Sequence, residues 1–216
     1  MPRPRKHDER TRAAMLDAAE RCLVAEGPQG LSVRSVAEDV GTTTWAVYSL
    51  FGSRDGLLTA VAARGIGVLE EGLRTWPATD DPLEDLIDLG ARMYRGFVVD
   101  HPWLFRLAFQ RILPDLELGP LFFEVRARTW ELLEARVKRL DERGLLAGRT
   151  VRDATVEFNA MCEGLANAEL RGGTLAPGNQ ERIWRDAFTV VVHGLTTPAV
   201  RRPARGRRRV RSATPR

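Results

Sequence analysis

Two neighbouring stretches hold side chains suited to gripping phosphate. Ser32 and Arg34 lie in the first and Tyr48 and Arg54 in the second, which also holds Thr43, Thr44, Trp45 and Ser49. Hydroxyls and the unpaired amides of a helix N-terminus suit phosphate oxygens, a phenol can donate to one, and an arginine meets them as a permanent cation. A second set could line an apolar pocket with a few polar groups: Met93, Tyr94, Phe97, Trp103, Phe109, Trp130, Asn159, Cys162 and Glu163. The same aromatics would equally serve as ordinary core. Glu163 sits in the small, apolar run Ala160 to Ala166, where it suits a cationic or hydroxylated ligand or, equally, a solvated or interface position.

An enzyme built on Glu163, Cys162 and His193 is the alternative. The sequence carries no HExxH, no paired-cysteine metal spacing, no phosphate-cradling glycine loop and no nucleophile elbow among Gly164, Gly172 and Gly173. His193 reads as a packing or capping residue and Cys162 as a small buried apolar one. No cofactor and no metal are expected.

Phosphate-holding groups need short helices to carry them, and the pattern supplies these. Apolar residues recur at helical spacing from Arg10 to Glu26, until Gly27, Pro28 and Gly30 break the run. Ser32 stands as a cap before Val33, Val36, Ala37 and Val40, and Gly41 closes this second helix. The Thr42–Thr44 turn introduces a third, Trp45 to Phe51, and Ser53 caps a longer fourth. Every long segment that follows keeps the helical period. Asp81, Pro82 and Glu84 launch Leu83 to Val99; His101-Pro102 starts a helix to Phe109, and Gly119-Pro120 one ending near Gly144. Thr150 with Asp153 caps a helix ending at Gly172-Gly173, and Asn179 starts the last.

Composition is that of an ordinary globular chain of 216 residues, 44% hydrophobic and 29% charged. Apolar runs such as Phe188 to Val192 are too short to span a bilayer, so no membrane partner is expected. Cys22 and Cys162 lie far apart within helical patterns, and no leader-like segment opens the chain, which points to the cytoplasm without structural disulfides. The net charge of +4 is uneven: residues 1–60 hold eight basic and eight acidic side chains, whereas residues 201–216 hold eight arginines and no acid. Net charge therefore says little about the N-terminal segment, where local placement of Arg3, Arg5, Lys6, Arg34 and Arg54 matters more. A sequence-independent nucleic-acid compaction protein driven by the tail is a third reading.

Ala18-Ala19, Glu26-Gly27, Leu31-Ser32, Val36-Ala37, Gly41, Val47-Tyr48, Phe51-Gly52-Ser53-Arg54 and Leu57-Leu58 together resemble the signature of the TetR family. The resemblance implies an all-α chain. Its parts would be a three-helix helix-turn-helix DNA-binding domain at 1–55, a larger helical ligand-sensing and dimerisation domain at 56–198, and a disordered Arg-rich tail at 199–216. It implies that Ser32 and Arg34 hold phosphates, that Tyr48 and Arg54 clamp the backbone, and that Thr43, Thr44, Trp45 and Ser49 face the major groove. A packed-aromatic role for Trp45 or Tyr48 is the competing reading. The expected function is a ligand-released repressor that binds a palindromic operator in double-stranded DNA as a homodimer and senses a small, largely apolar ligand. His101-Pro102-Trp103-Leu104-Phe105-Arg106 looks like an element of many such regulatory domains. Ala154, Ala160, Gly164, Ala166 and Ala168, with Val190, Val191, Gly194 and Leu195, suit close helix approach across a two-fold axis.

Overall fold

The computed structural model describes residues 6–110, 112–172, 175–176 and 178–198, and every regular element among them is helical. The first four helices are α1 (Lys6–Gly30), α2 (Val33–Val40), α3 (Thr44–Phe51) and α4 (Arg54–Thr75). Next come α5 (Pro82–Asp88), a π-helical turn (Leu89–Tyr94) and α6 (Arg95–Asp100), which follow one another without a break. The remaining helices are α7 (Pro102–Phe109), α8 (Pro120–Asp141), α9 (Val151–Arg171) and α10 (Gln180–Leu195). The Arg-rich tail from residue 199, with Arg3 and Arg5, lies outside the described residues.

Local hydrogen bonding sets where most of these helices begin. The hydroxyls of Thr43, Ser53 and Thr150 accept from the amides of Ala46, Gly56 and Asp153, and the Asp81 carboxylate accepts from Leu83 and Glu84. Each satisfies an amide that a first helical turn leaves unpaired, worth about 1 kcal/mol. In α1 the expected end at Glu26 is a kink: Gly27 adopts φ 71° and ψ −174°, a region costly for any other residue, and one further turn containing Pro28 follows.

One apolar core runs from Met15 of α1 to Leu195 of α10. At its centre α4, buried at positions from Leu57 to Leu73, packs on α1 and α3 and also on α7, α8 and the π turn. Polar ties reinforce the junction with α1: Arg64 pairs with Asp17 at 2.5 Å, and His101 Nδ1 lies 3.0 Å from the Glu20 carboxylate. The π turn is wedged between two helices. A Cβ on Gly90 would lie 2.4 Å from the Phe188 ring of α10, and one on Gly72 of α4 would lie 2.8 Å from the Met93 sulfur. Such turns often mark functional sites.

Residues expected to form a seam across a two-fold axis divide by helical register. On α9, Ala154, Phe158, Cys162 and Ala166 recur every fourth residue and are buried, so Ala154 and Ala166 belong to the interior instead; Leu195 of α10 is buried likewise. Val156, Ala160 and Gly164 share the opposite face of α9 and are exposed, as are Val190 and Gly194 on α10.

The loop before α5 is held to α8 through one carboxylate. Asp85 accepts from the amide and hydroxyl of Thr79, both at 2.8 Å, and from Arg139 at 2.5 Å; Arg139 also donates to the Thr79 carbonyl. Burial by itself would raise the Asp85 pKa, but the Arg139 and Thr79 hydrogen bonds outweigh it and hold the group below its ordinary 3.8. Folding thus favours the ionised form, so this stabilisation is complete above pH 3.8 and is lost as pH falls through the folded value. Asp85→Asn should therefore flatten the acid limb of stability against pH in urea titrations. An acid limb as steep as the parent's would assign the effect to other carboxylates.

Candidate nucleic-acid interface and ligand cavity

The helix-turn-helix is built around caps. The Ser32 hydroxyl accepts from the Ser35 amide at 3.0 Å, while the Ser35 hydroxyl accepts from the Ser32 amide at 3.2 Å, a reciprocal box that fixes the start of α2. Arg34 donates to Glu38 at 2.7 Å with both side chains exposed, a pair worth only a few tenths of a kcal/mol and easily exchanged for a phosphate. On α3, Val47 is buried and anchors the helix, while Thr43, Thr44 and Ser49 lie on the surface. Trp45 is 75% exposed and Tyr48 50% exposed, so neither is a packed aromatic. Arg54 is engaged within the fold. Its Nε donates to the Leu31 carbonyl and its Nη2 to the Pro28 carbonyl, both at 3.1 Å, so the guanidinium braces the turn between α1 and α2.

A cavity of about 50 Å³ lies among α4, the π turn, α7, α8 and α9. Of the pocket candidates, Met93 and Tyr94 reach it from the π turn, Phe109 from α7, Trp130 from α8, and Asn159, Cys162 and Glu163 from α9. Phe97 and Trp103 do not line it. Phe97 packs edge-on against Tyr94, with ring centroids 6.3 Å apart. Trp103 lies beneath the Arg106 guanidinium at 5.3 Å, and its ring edge is 3.6 Å from where a Cβ on Gly27 would sit. Pattern reading missed Ile66, Leu69 and Leu73 of α4, Leu89 of the π turn, Arg126, Thr129 and Leu133 of α8, and Phe158 of α9, which complete the wall. No sequence signal separates them, because a cavity wall and a packed core share one helical spacing.

The polar groups of the cavity are unequally satisfied. Trp130 donates to Glu134 at 2.8 Å, and Asn159 donates to Glu163 Oε1 at 2.9 Å. Tyr94 is buried and its hydroxyl has no hydrogen-bond partner among the described residues. Burial pushes its phenol well above 10.0, with the Glu163 charge adding to the shift, so it stays protonated. Burial, then the Glu163 charge, likewise pushes the Cys162 thiol up, which removes the thiolate that nucleophilic chemistry requires.

Residues 15–61 match the description "Bacterial regulatory proteins, tetR family", and residues 86–191 match "Tetracyclin repressor-like, C-terminal domain", together most of the chain. The chain belongs to the TetR family of transcriptional regulators. This TetR-family chain is 30% identical over 115 residues to the HTH-type transcriptional regulators Rv1816 of Mycobacterium tuberculosis and Mb1846 of Mycobacterium bovis. The match covers 52% of this chain and 49% of each relative, so the chain spans about half the length of these curated relatives. Solved structures share its fold. A Rhodococcus sp. RHA1 protein of unknown function superposes with a TM-score of 0.75 at 23% identity, covering 87% of this chain and 96% of the other. The fatty acid degradation regulator FadR of Bacillus halodurans gives 0.69 at 16% identity, covering 89% and 96%. TetR-family membership places the chain among transcriptional regulators. No helix among the described residues is long and apolar enough to cross a membrane.

Proposed function

We propose that two copies of this chain bind a near-palindromic duplex as a repressor, and that a small, largely apolar molecule entering the cavity releases it. The observation that carries the reading is the outward surface of α3, where Trp45 stands three-quarters exposed beside Thr44, Ser49 and the half-exposed Tyr48. Two exposed aromatics three residues apart on one helix form an apolar patch of the kind that a partner covers. In this reading the first turn of α3 enters the major groove, where Trp45 meets thymine methyl groups, and Ser32, Arg34 and Tyr48 reach flanking phosphates. The exposed faces of α9 and α10 pair across the two-fold axis, so that inverted half-sites meet two recognition helices. Ile66, Leu69 and Leu73 put the cavity wall on α4, the helix that also packs on α1 and α3. A drug-sized ligand needs roughly 300 Å³ or more, so the cavity must widen, and a ligand that favours the widened state lowers operator affinity by its preference for that state.

Binding of a labelled fragment carrying the chain's own promoter, against a random duplex, tests the reading. Tyr48→Phe should weaken binding by about 1 kcal/mol whatever the sequence, whereas Thr44→Ala and Trp45→Ala should change which bases are preferred. A promoter fragment held no more tightly than random duplex would overturn it.

A further inference from the structure

We infer that the cavity recognises a neutral, mostly apolar molecule through a hydroxyl group, which accepts a hydrogen bond from the Tyr94 phenol and donates one to the Glu163 carboxylate. The inference rests on the ligand-sensing reading and narrows it. Two unfinished valences among the residues lining one cavity carry it. Tyr94 holds a protonated hydroxyl, buried and without a partner, and an unpaired buried donor of this kind costs about 1–3 kcal/mol that a ligand acceptor would recover. Glu163 uses one carboxylate oxygen for Asn159, and no cation pairs with it among the described residues. The other oxygen can accept.

An alcohol oxygen satisfies both groups at once, because it accepts and donates. A carboxylate accepts from Tyr94 but meets the Glu163 charge, which already reaches Tyr94 and Cys162. An ammonium pairs with Glu163 but has no lone pair for Tyr94. Arg126, which also lines the cavity, is exposed and screened by solvent, so it does not offset Glu163 for an anion held deep in the cavity. The apolar remainder of the ligand faces Ile66, Leu69 and Phe158, and half-buried Met93 has the flexible stem needed to make room.

Octan-1-ol, octanoate and octylammonium, titrated calorimetrically into the DNA-free full chain, separate the possibilities. Octan-1-ol is expected to bind about tenfold or more tighter than either ion. Tyr94→Phe should weaken octan-1-ol about tenfold without lowering the thermal midpoint of the free protein, since the lost hydroxyl has no partner there. Glu163→Gln keeps an acceptor for Asn159 and should narrow the gap between alcohol and octanoate. The inference is overturned if an ion binds best, if Tyr94→Phe holds the alcohol as tightly as the parent, or if octan-1-ol does not bind. If octan-1-ol binds with these dependences yet leaves promoter affinity unchanged, the hydroxyl site stands and ligand release falls. If another compound releases the promoter while octan-1-ol fails to bind, release stands and the hydroxyl site falls.

Discussion

Replacing Arg54 with alanine is expected to lower folding stability by about 2–3 kcal/mol and, through that loss, to weaken promoter binding. The side chain donates charge-assisted hydrogen bonds to the carbonyls of Pro28 and Leu31, which lie either side of the turn that sets α2 against α1. Alanine leaves both carbonyls without this donor, and lysine has no fork with which to hold the pair. Urea unfolding followed by circular dichroism gives the stability. The slope of log affinity against log salt then decides the role: a bracing residue changes stability and leaves the slope intact, whereas a phosphate contact lowers the slope by about 0.9. Parental stability with a reduced slope would return Arg54 to the clamp that the family signature implies.

Phe188→Ala is expected to be the more damaging of two changes at the π turn, at about 3–5 kcal/mol, because the ring is fully buried between Trp184 and Phe158. Gly90→Ala should cost about 1–3 kcal/mol despite alanine's better helix propensity, since its methyl would press into that ring at 2.4 Å. Removing the ring also removes the collision. The double variant should therefore be less destabilised than the two single costs added together, by about 1 kcal/mol or more. Strict additivity in denaturant titrations would show that Gly90 and Phe188 do not press on one another.

Much of the fold was legible because helix starts are local events. Ser32, Thr43, Ser53, Asp81 and Thr150 stand before apolar-periodic runs, and each accepts from an amide within three residues, a relation visible along the chain. The π turn was not legible. Nothing in Leu-Gly-Ala-Arg-Met-Tyr distinguishes it from α-helix; the wedge between Phe188 and Gly72 that accompanies it joins residues far apart in sequence. The candidate interface followed the same division. The exposure of Trp45 and Tyr48 agrees with a short amphipathic α3, but the partners of Arg54 lie 23 and 26 residues away, beyond any spacing rule. In the cavity, Glu163 was singled out by chemistry and Tyr94 was named among the aromatic candidates, whereas Ile66, Leu69 and Leu73 look like any helix face turned toward a core.

The core that passes unbroken through α4 constrains how this protein can be recombined with its relatives. A chimera cut near residue 55, where the sequence pattern invites a seam, would separate α1 and α3 from Leu57, Leu58, Val61 and Ala62, the fully buried positions on the helix against which they pack. A transplanted reading head must bring its own α4 or a matched α4 surface. Such a graft also carries Ile66, Leu69 and Leu73, and with them part of the cavity wall. Under the proposed function, exchange of target-site choice and exchange of ligand choice are thus tied to one helix, and swapping either alone requires remaking a single face of it.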